Sequence, residues 1–107
     1  MDPTDAMISY QLGWLYDELG RYDDAIAANE EAECLNPILM PYAMWNAAVS
    51  YLKKGDRQRA MDNLREIPPG SWWEEISSDS ELTPLHTEPG WLALVTEKTG
   101  LAAKSRP

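Results

Sequence analysis

The sequence repeats itself. Shifted by about 35 residues, Leu12 falls on Ala47, Gly13 on Ala48, Tyr16 on Tyr51, Gly20 on Gly55, Ala25 on Ala60, Ile26 on Met61 and Ala32 on Ile67. Each pair is identical or alike in size or polarity. A period in this range marks stacked helical or solenoid units, in which each unit buries its apolar face against its neighbour. At 107 residues there is room for one domain holding two such units and a closing segment.

Within each unit the pattern is helix, glycine turn, helix. Ile8, Leu12, Leu15, Tyr16 and Leu19 recur at steps of three and four, which predicts that they form the inward face of the first helix. Gly20 supplies a left-handed stop. A second helix follows with Tyr22, Ala25, Ile26, Asn29, Ala32 and Leu35 inward, and Pro37 ends it. The second unit predicts a helix over 41–54, a stop at Gly55, an N-cap at Asp56 and a helix to Ile67. Pro68-Pro69-Gly70 closes that helix. Gly13, Ala25, Ala32, Ala48 and Ala60 are small enough to let antiparallel helices approach closely.

Beyond residue 70 the periodicity changes. Ser71-Trp72-Trp73-Glu74 has the capping-box pattern and predicts a short helix. A polar turn over 77–80 and a final helix over about 88–98, stopped at Gly100, complete the chain, with a frayed tail over 101–107. The expectation is an all-α single domain: repeats over 6–39 and 41–67, and a C-terminal cap over 71–100.

Residues 6–39 resemble a tetratricopeptide repeat. Leu12, Gly13, Tyr16, Gly20, Tyr22, Ala25, Ala32 and Pro37 stand in that family's register, with Ser9 in place of its tryptophan and Asn29 in place of its aromatic. Residues 41–67 resemble a second repeat through Met44, Ala48, Tyr51, Gly55, Ala60 and Leu64. The one residue beyond the family's period is placed in the 36–41 turn. Residues 79–91 resemble a segment found after such repeats in bacterial proteins, through Leu82, Pro84, Leu85, Pro89 and Trp91. The pentatricopeptide type shares the period and reads RNA, but RNA recognition asks for a basic groove.

Charge points the other way. Nine Lys and Arg face eighteen Asp and Glu, a net of −9, so phosphate backbones and anionic membranes are repelled. The charge is also unevenly spread. Residues 1–39 hold nine acids against Arg21 alone, whereas 40–70 hold five bases against three acids. That split suggests that an acidic first half could attract the basic second half of another copy. No apolar run reaches the length of a bilayer span, and the acidic N-terminus does not read as a secretory signal. One cysteine, Cys34, and one histidine, His86, make neither a disulfide nor a four-ligand zinc site; a buried, inert thiol in a reducing cytoplasm is the expectation.

Catalysis has little to stand on. Asp23-Asp24 and Glu30-Glu31 are sequence neighbours, which point about 100° apart on a helix and do not converge. No phosphate loop or metal-ligand spacing is present, and neither a cofactor nor a metal is expected. The notable residues are aromatic and lie off the inward stripe: Met7, Tyr10 and Trp14 on the first helix, and Tyr42, Trp45, Val49 and Leu52 on the third. The resemblance implies that this side lines a concave groove for a peptide or partner helix. The candidate binding residues are therefore Met7, Tyr10, Trp14, Tyr42, Trp45, Asn46, Val49 and Lys53, with no catalytic residue. The groove could stand open, be filled by residues 71–98, or be covered by another copy. Some members of the family clamp a C-terminal carboxylate with Lys and Asn. Only Asn46 matches that clamp, and Tyr10 and Trp14 stand where its first repeat would offer Lys and Asn, so an apolar ligand is expected. The function expected is protein–protein interaction, with a homo-oligomer as the alternative.

Overall fold

The computed structural model describes residues 3–100. The described residues hold α-helices and 3-10 segments and no strand. They pack as two compact units that meet in sequence between Ile67 and Pro68. The frayed tail expected over 101–107 lies outside the described residues.

The first unit is two helical hairpins in succession: α1 (Pro3–Glu18) and α2 (Tyr22–Leu35), then α3 (Met40–Lys53) and α4 (Arg57–Glu66). Each hairpin turns through a glycine in the left-handed region, Gly20 at φ 78° and Gly55 at φ 95°. The two turns carry the same pair of hydrogen bonds. Gly20 N donates to Asp17 O at 3.0 Å and Arg21 N to Tyr16 O at 2.9 Å; Gly55 N donates to Leu52 O at 3.0 Å and Asp56 N to Tyr51 O at 2.8 Å. This is the Schellman closure, and its recurrence shows that the sequence repeat is also a backbone repeat. Asp56 caps α4, its Oδ1 accepting from Arg59 N at 3.1 Å. Between the hairpins the extra residue is absorbed in a 3-10 turn, Pro37–Leu39, capped by Asn36 Oδ1, which accepts from Ile38 N.

Helix α1 is rotated away from the expected orientation. Among the described side chains its buried residues are Ala6, Ser9 and Gly13; the helix packs against α2, whose buried residues include Ala25, Ala28, Asn29 and Ala32. Ile8, Leu12, Leu15 and Leu19, expected inward, are 53%, 40%, 46% and 64% exposed. The physical reason is axial distance. The ridge of small residues lets α1 sit close to α2, and a ridge of leucines would hold the axes apart. At Gly13 the approach is so close that a Cβ would lie 2.5 Å from Asn29 Nδ2. The second hairpin mixes small and large residues in its core, with Pro41, Ala43, Met44, Ala47, Ala48, Val49 and Ser50 of α3 and Ala60, Met61 and Leu64 of α4 buried.

The second unit contains α5 (Trp72–Ser77), a 3-10 segment (Ser80–Thr87) and α6 (Trp91–Thr99), stopped by left-handed Gly100. Trp73, Ile76, Leu82, Leu85, Trp91, Leu94 and Val95 are its buried apolar residues among those described. The capping box expected at Ser71 does not form: Ser71 has helical torsions and makes no capping side-chain bond. The indoles of Trp72 and Trp73 instead both donate to Pro68 O, at 2.9 and 3.0 Å, and anchor the start of α5. His86 stacks on Trp91 with ring centroids 4.8 Å apart.

Candidate partner-binding surface

Helices α1 and α3 are tied together by one carboxylate. Asp17 accepts from Ser50 Oγ at 2.7 Å through Oδ1 and from Lys53 Nζ at 2.6 Å through Oδ2. Asp17 is nearly buried and Ser50 fully so. This clasp fixes which ridges of the two helices face each other. Tyr10 shares the Asp17 face of α1, seven residues away. Asn46 shares the Ser50 and Lys53 face of α3, at steps of four and three.

The aromatic groups lie on the same two helices. Trp14 is 57% exposed, and Met7 and Tyr42 are also largely open to solvent. Tyr10, Trp45 and Asn46 are partly buried. Val49 is only 5% exposed, so it belongs to the floor under the aromatic groups rather than to the surface a ligand would touch. Lys53 is engaged by Asp17. Asp17 is absent from the candidate residues read from the sequence, yet it ties the two helices together. The signal available was its place seven residues after Tyr10, on the face that the glycine and alanine ridge turns inward.

The bases of the second half are engaged within the unit. Lys53 pairs with Asp17, and Lys54 pairs with Asp23 across the hairpins. Arg59 and Arg65 pair with Asp56 and Asp62 one turn away. Arg21 reaches Asp24 at 2.7 Å and lies over the ring of Tyr16, 4.9 Å from its centroid.

Cys34 is exposed, contrary to expectation. It stands two residues past buried Ala32, about 200° around α2, so the close-packed ridge turns it outward. It borders a hollow with Glu30, Glu33, Met44, Asn63 and Glu66. Burial raises the Glu33 carboxyl above the usual carboxylate range, and the like charges of Glu30 and Glu66 push the same way. Burial also raises Tyr51, with Glu30 adding to it. Among the described residues no group of three or more His, Cys, Asp or Glu could hold a metal ion, and no helix is long and apolar enough to cross a membrane.

Family models described as tetratricopeptide repeats match residues 1–27 and 42–68. No curated protein and no solved structure matches the chain.

Proposed function

The chain belongs to the tetratricopeptide-repeat family, with two repeats, and from that premise we propose that it binds a peptide or partner helix along the α1 and α3 aromatic face. Repeats of this family mediate protein–protein interaction and are typically non-catalytic. The observation that carries the finer reading is Trp14. A tryptophan more than half exposed, one helical turn past Tyr10 and two turns past Met7 on the same side of α1, is costly to leave in water and is the kind of residue that anchors an interface. Tyr42 and Trp45 supply the opposing wall, Val49 the floor, and Asn46 a polar group for a backbone amide. Lys53, held by Asp17, shapes the rim and keeps the helices in register.

The test is a peptide selected for binding from a displayed library, with its affinity compared between the wild-type chain and two variants. Trp14→Ala should raise Kd at least about tenfold, and Trp14→Ala with Tyr42→Ala further. Unchanged affinity in both would exclude this face. Self-association through the acidic and basic halves is the second reading. Its motivating charge split is weakened by the intrachain pairs of Lys53 and Lys54. It would require an oligomer, seen by light scattering, that dissociates as salt rises.

A further inference from the structure

A second apolar surface on α1 lies apart from the aromatic face. Ile8, Leu12, Leu15 and Leu19 form one ridge at steps of four, three and four, all exposed, and Gln11 and Glu18 separate them from Met7 and Trp14 around the helix. The ridge runs roughly 17 Å, three turns. It exposes on the order of 400 Å² of apolar side chain, the size at which a patch on a monomer marks an interaction site. A helix that is apolar on almost every side is one meant to be covered.

The charges around the ridge say what covers it. Asp5 and Glu18 flank it on α1. Glu31 reaches it from α2, in a hollow shared with Asp5, Ile8 and Leu35. These three carboxylates form no ion pair among the described residues. Arg21, three residues past Glu18, is engaged by Asp24 and Tyr16. A second copy of α1 laid antiparallel on the ridge would set Asp5 and Glu31 of one copy toward Glu18 of the other at both ends, which is unfavourable. The exposed face of α4 offers Arg57, Gln58, Arg59 and Arg65 but no apolar ridge to fill the contact.

We propose that this ridge docks an amphipathic helix of a partner protein, with leucine or isoleucine repeating at three- and four-residue steps and lysine or arginine on both flanks. The apolar ridge interdigitates with Ile8, Leu12, Leu15 and Leu19. The flanking bases meet Asp5, Glu18 and Glu31.

The probe is a fluorescein-labelled helical peptide of about 16 residues with four leucines on one ridge and lysines on both flanks. Its counterpart carries glutamate in place of every lysine. Binding is read by fluorescence anisotropy to the full chain, and light scattering reports the oligomeric state. The lysine peptide should bind, lose affinity as salt rises, and weaken at least tenfold in Leu12→Ser with Leu15→Ser. Leu19→Ser, a single change at the most exposed position, should weaken it less but measurably, with the helical circular dichroism of the wild type retained. Trp14→Ala should leave it unchanged, which separates this surface from the aromatic face. Three outcomes overturn the proposal. One is no binding, or equal binding of the glutamate peptide. Another is loss of binding in Trp14→Ala but not in the leucine variants. The third is a wild-type dimer that Leu12→Ser abolishes, which would make the occupant a second copy.

Discussion

Gly13→Ala probes the contact that decides which way α1 faces. On propensity alone the change should stabilise a helix interior by about 1 kcal/mol. The structure reverses the sign. The added Cβ would lie 2.5 Å from Asn29 Nδ2, 2.8 Å from Cγ and 3.0 Å from Oδ1. Asn29 is buried, and its Nδ2 donates to Ala25 O at 3.0 Å while Oδ1 has no partner. Relief requires a shift of about an ångström, since atoms at ease sit about 3.5–4 Å apart. Either the helices separate, costing about 1–3 kcal/mol of packing, or Asn29 swings and loses its bond at a similar cost. Net destabilisation should therefore be about 1–3 kcal/mol, or a fall in Tm of several degrees for each kcal/mol. Urea unfolding followed by far-ultraviolet circular dichroism measures it. Adding Asn29→Ala removes the obstacle, so the double variant should be at least as stable as Asn29→Ala alone, with a coupling of at least about 1 kcal/mol. A Gly13→Ala variant as stable as wild type, with no coupling, would refute the close approach and with it the outward ridge of α1.

Three further outcomes follow from the same geometry. Asp17→Ala strands the buried Ser50 hydroxyl and frees Lys53, and should cost about 1–3 kcal/mol by urea titration. Asp17→Asn should cost less, because an amide oxygen can still accept from Ser50. Gly20→Ala and Gly55→Ala place a Cβ in open space but at positive φ, so each should destabilise by about 1 kcal/mol through backbone strain alone. Glu33 binds its proton more tightly folded than unfolded, so its contribution lowers stability as pH rises through and above the ordinary glutamate range. Glu33→Gln should flatten that part of the pH profile and raise the midpoint at neutral pH in low salt. Thermal melts at pH 4 and pH 7 measure it, and an unchanged slope would count against the cluster with Glu30 and Glu66.

Much of the fold was legible because its punctuation is chemical. Gly20, Gly55 and Gly100 stop helices by adopting torsions that side chains resist, and Asp56 caps the next helix by hydrogen bonding. Those signals are local, so a sequence carries them whole. The orientation of α1 differs from expectation because hydrophobic periodicity registers the large stripe of Ile8, Leu12, Leu15 and Leu19 and not the small one of Ala6, Ser9 and Gly13. Which stripe wins depends on how near α2 can come, a property of two helices together. Cys34 was misplaced for the same reason, since its exposure follows from Ala32 being the contact point. The Ser71 motif does not form because Ser71 takes helical torsions and its backbone carbonyl, rather than its hydroxyl, accepts from Glu74 N at 3.2 Å. The aromatic residues themselves stood out in the sequence. Their division into floor, wall and rim did not, because it depends on Asp17 reaching across to α3.

Five tryptophans make the binding face directly readable. Each gives one indole N–H signal in a nitrogen–proton correlation spectrum of the labelled chain. Titration with a selected peptide should shift the signals of Trp14 and Trp45. Those of Trp72 and Trp73, which donate to Pro68 O, and of buried Trp91 should stay in place. Shifts confined to Trp72, Trp73 or Trp91, with Trp14 and Trp45 unmoved at saturation, would contradict the assignment of the partner to α1 and α3.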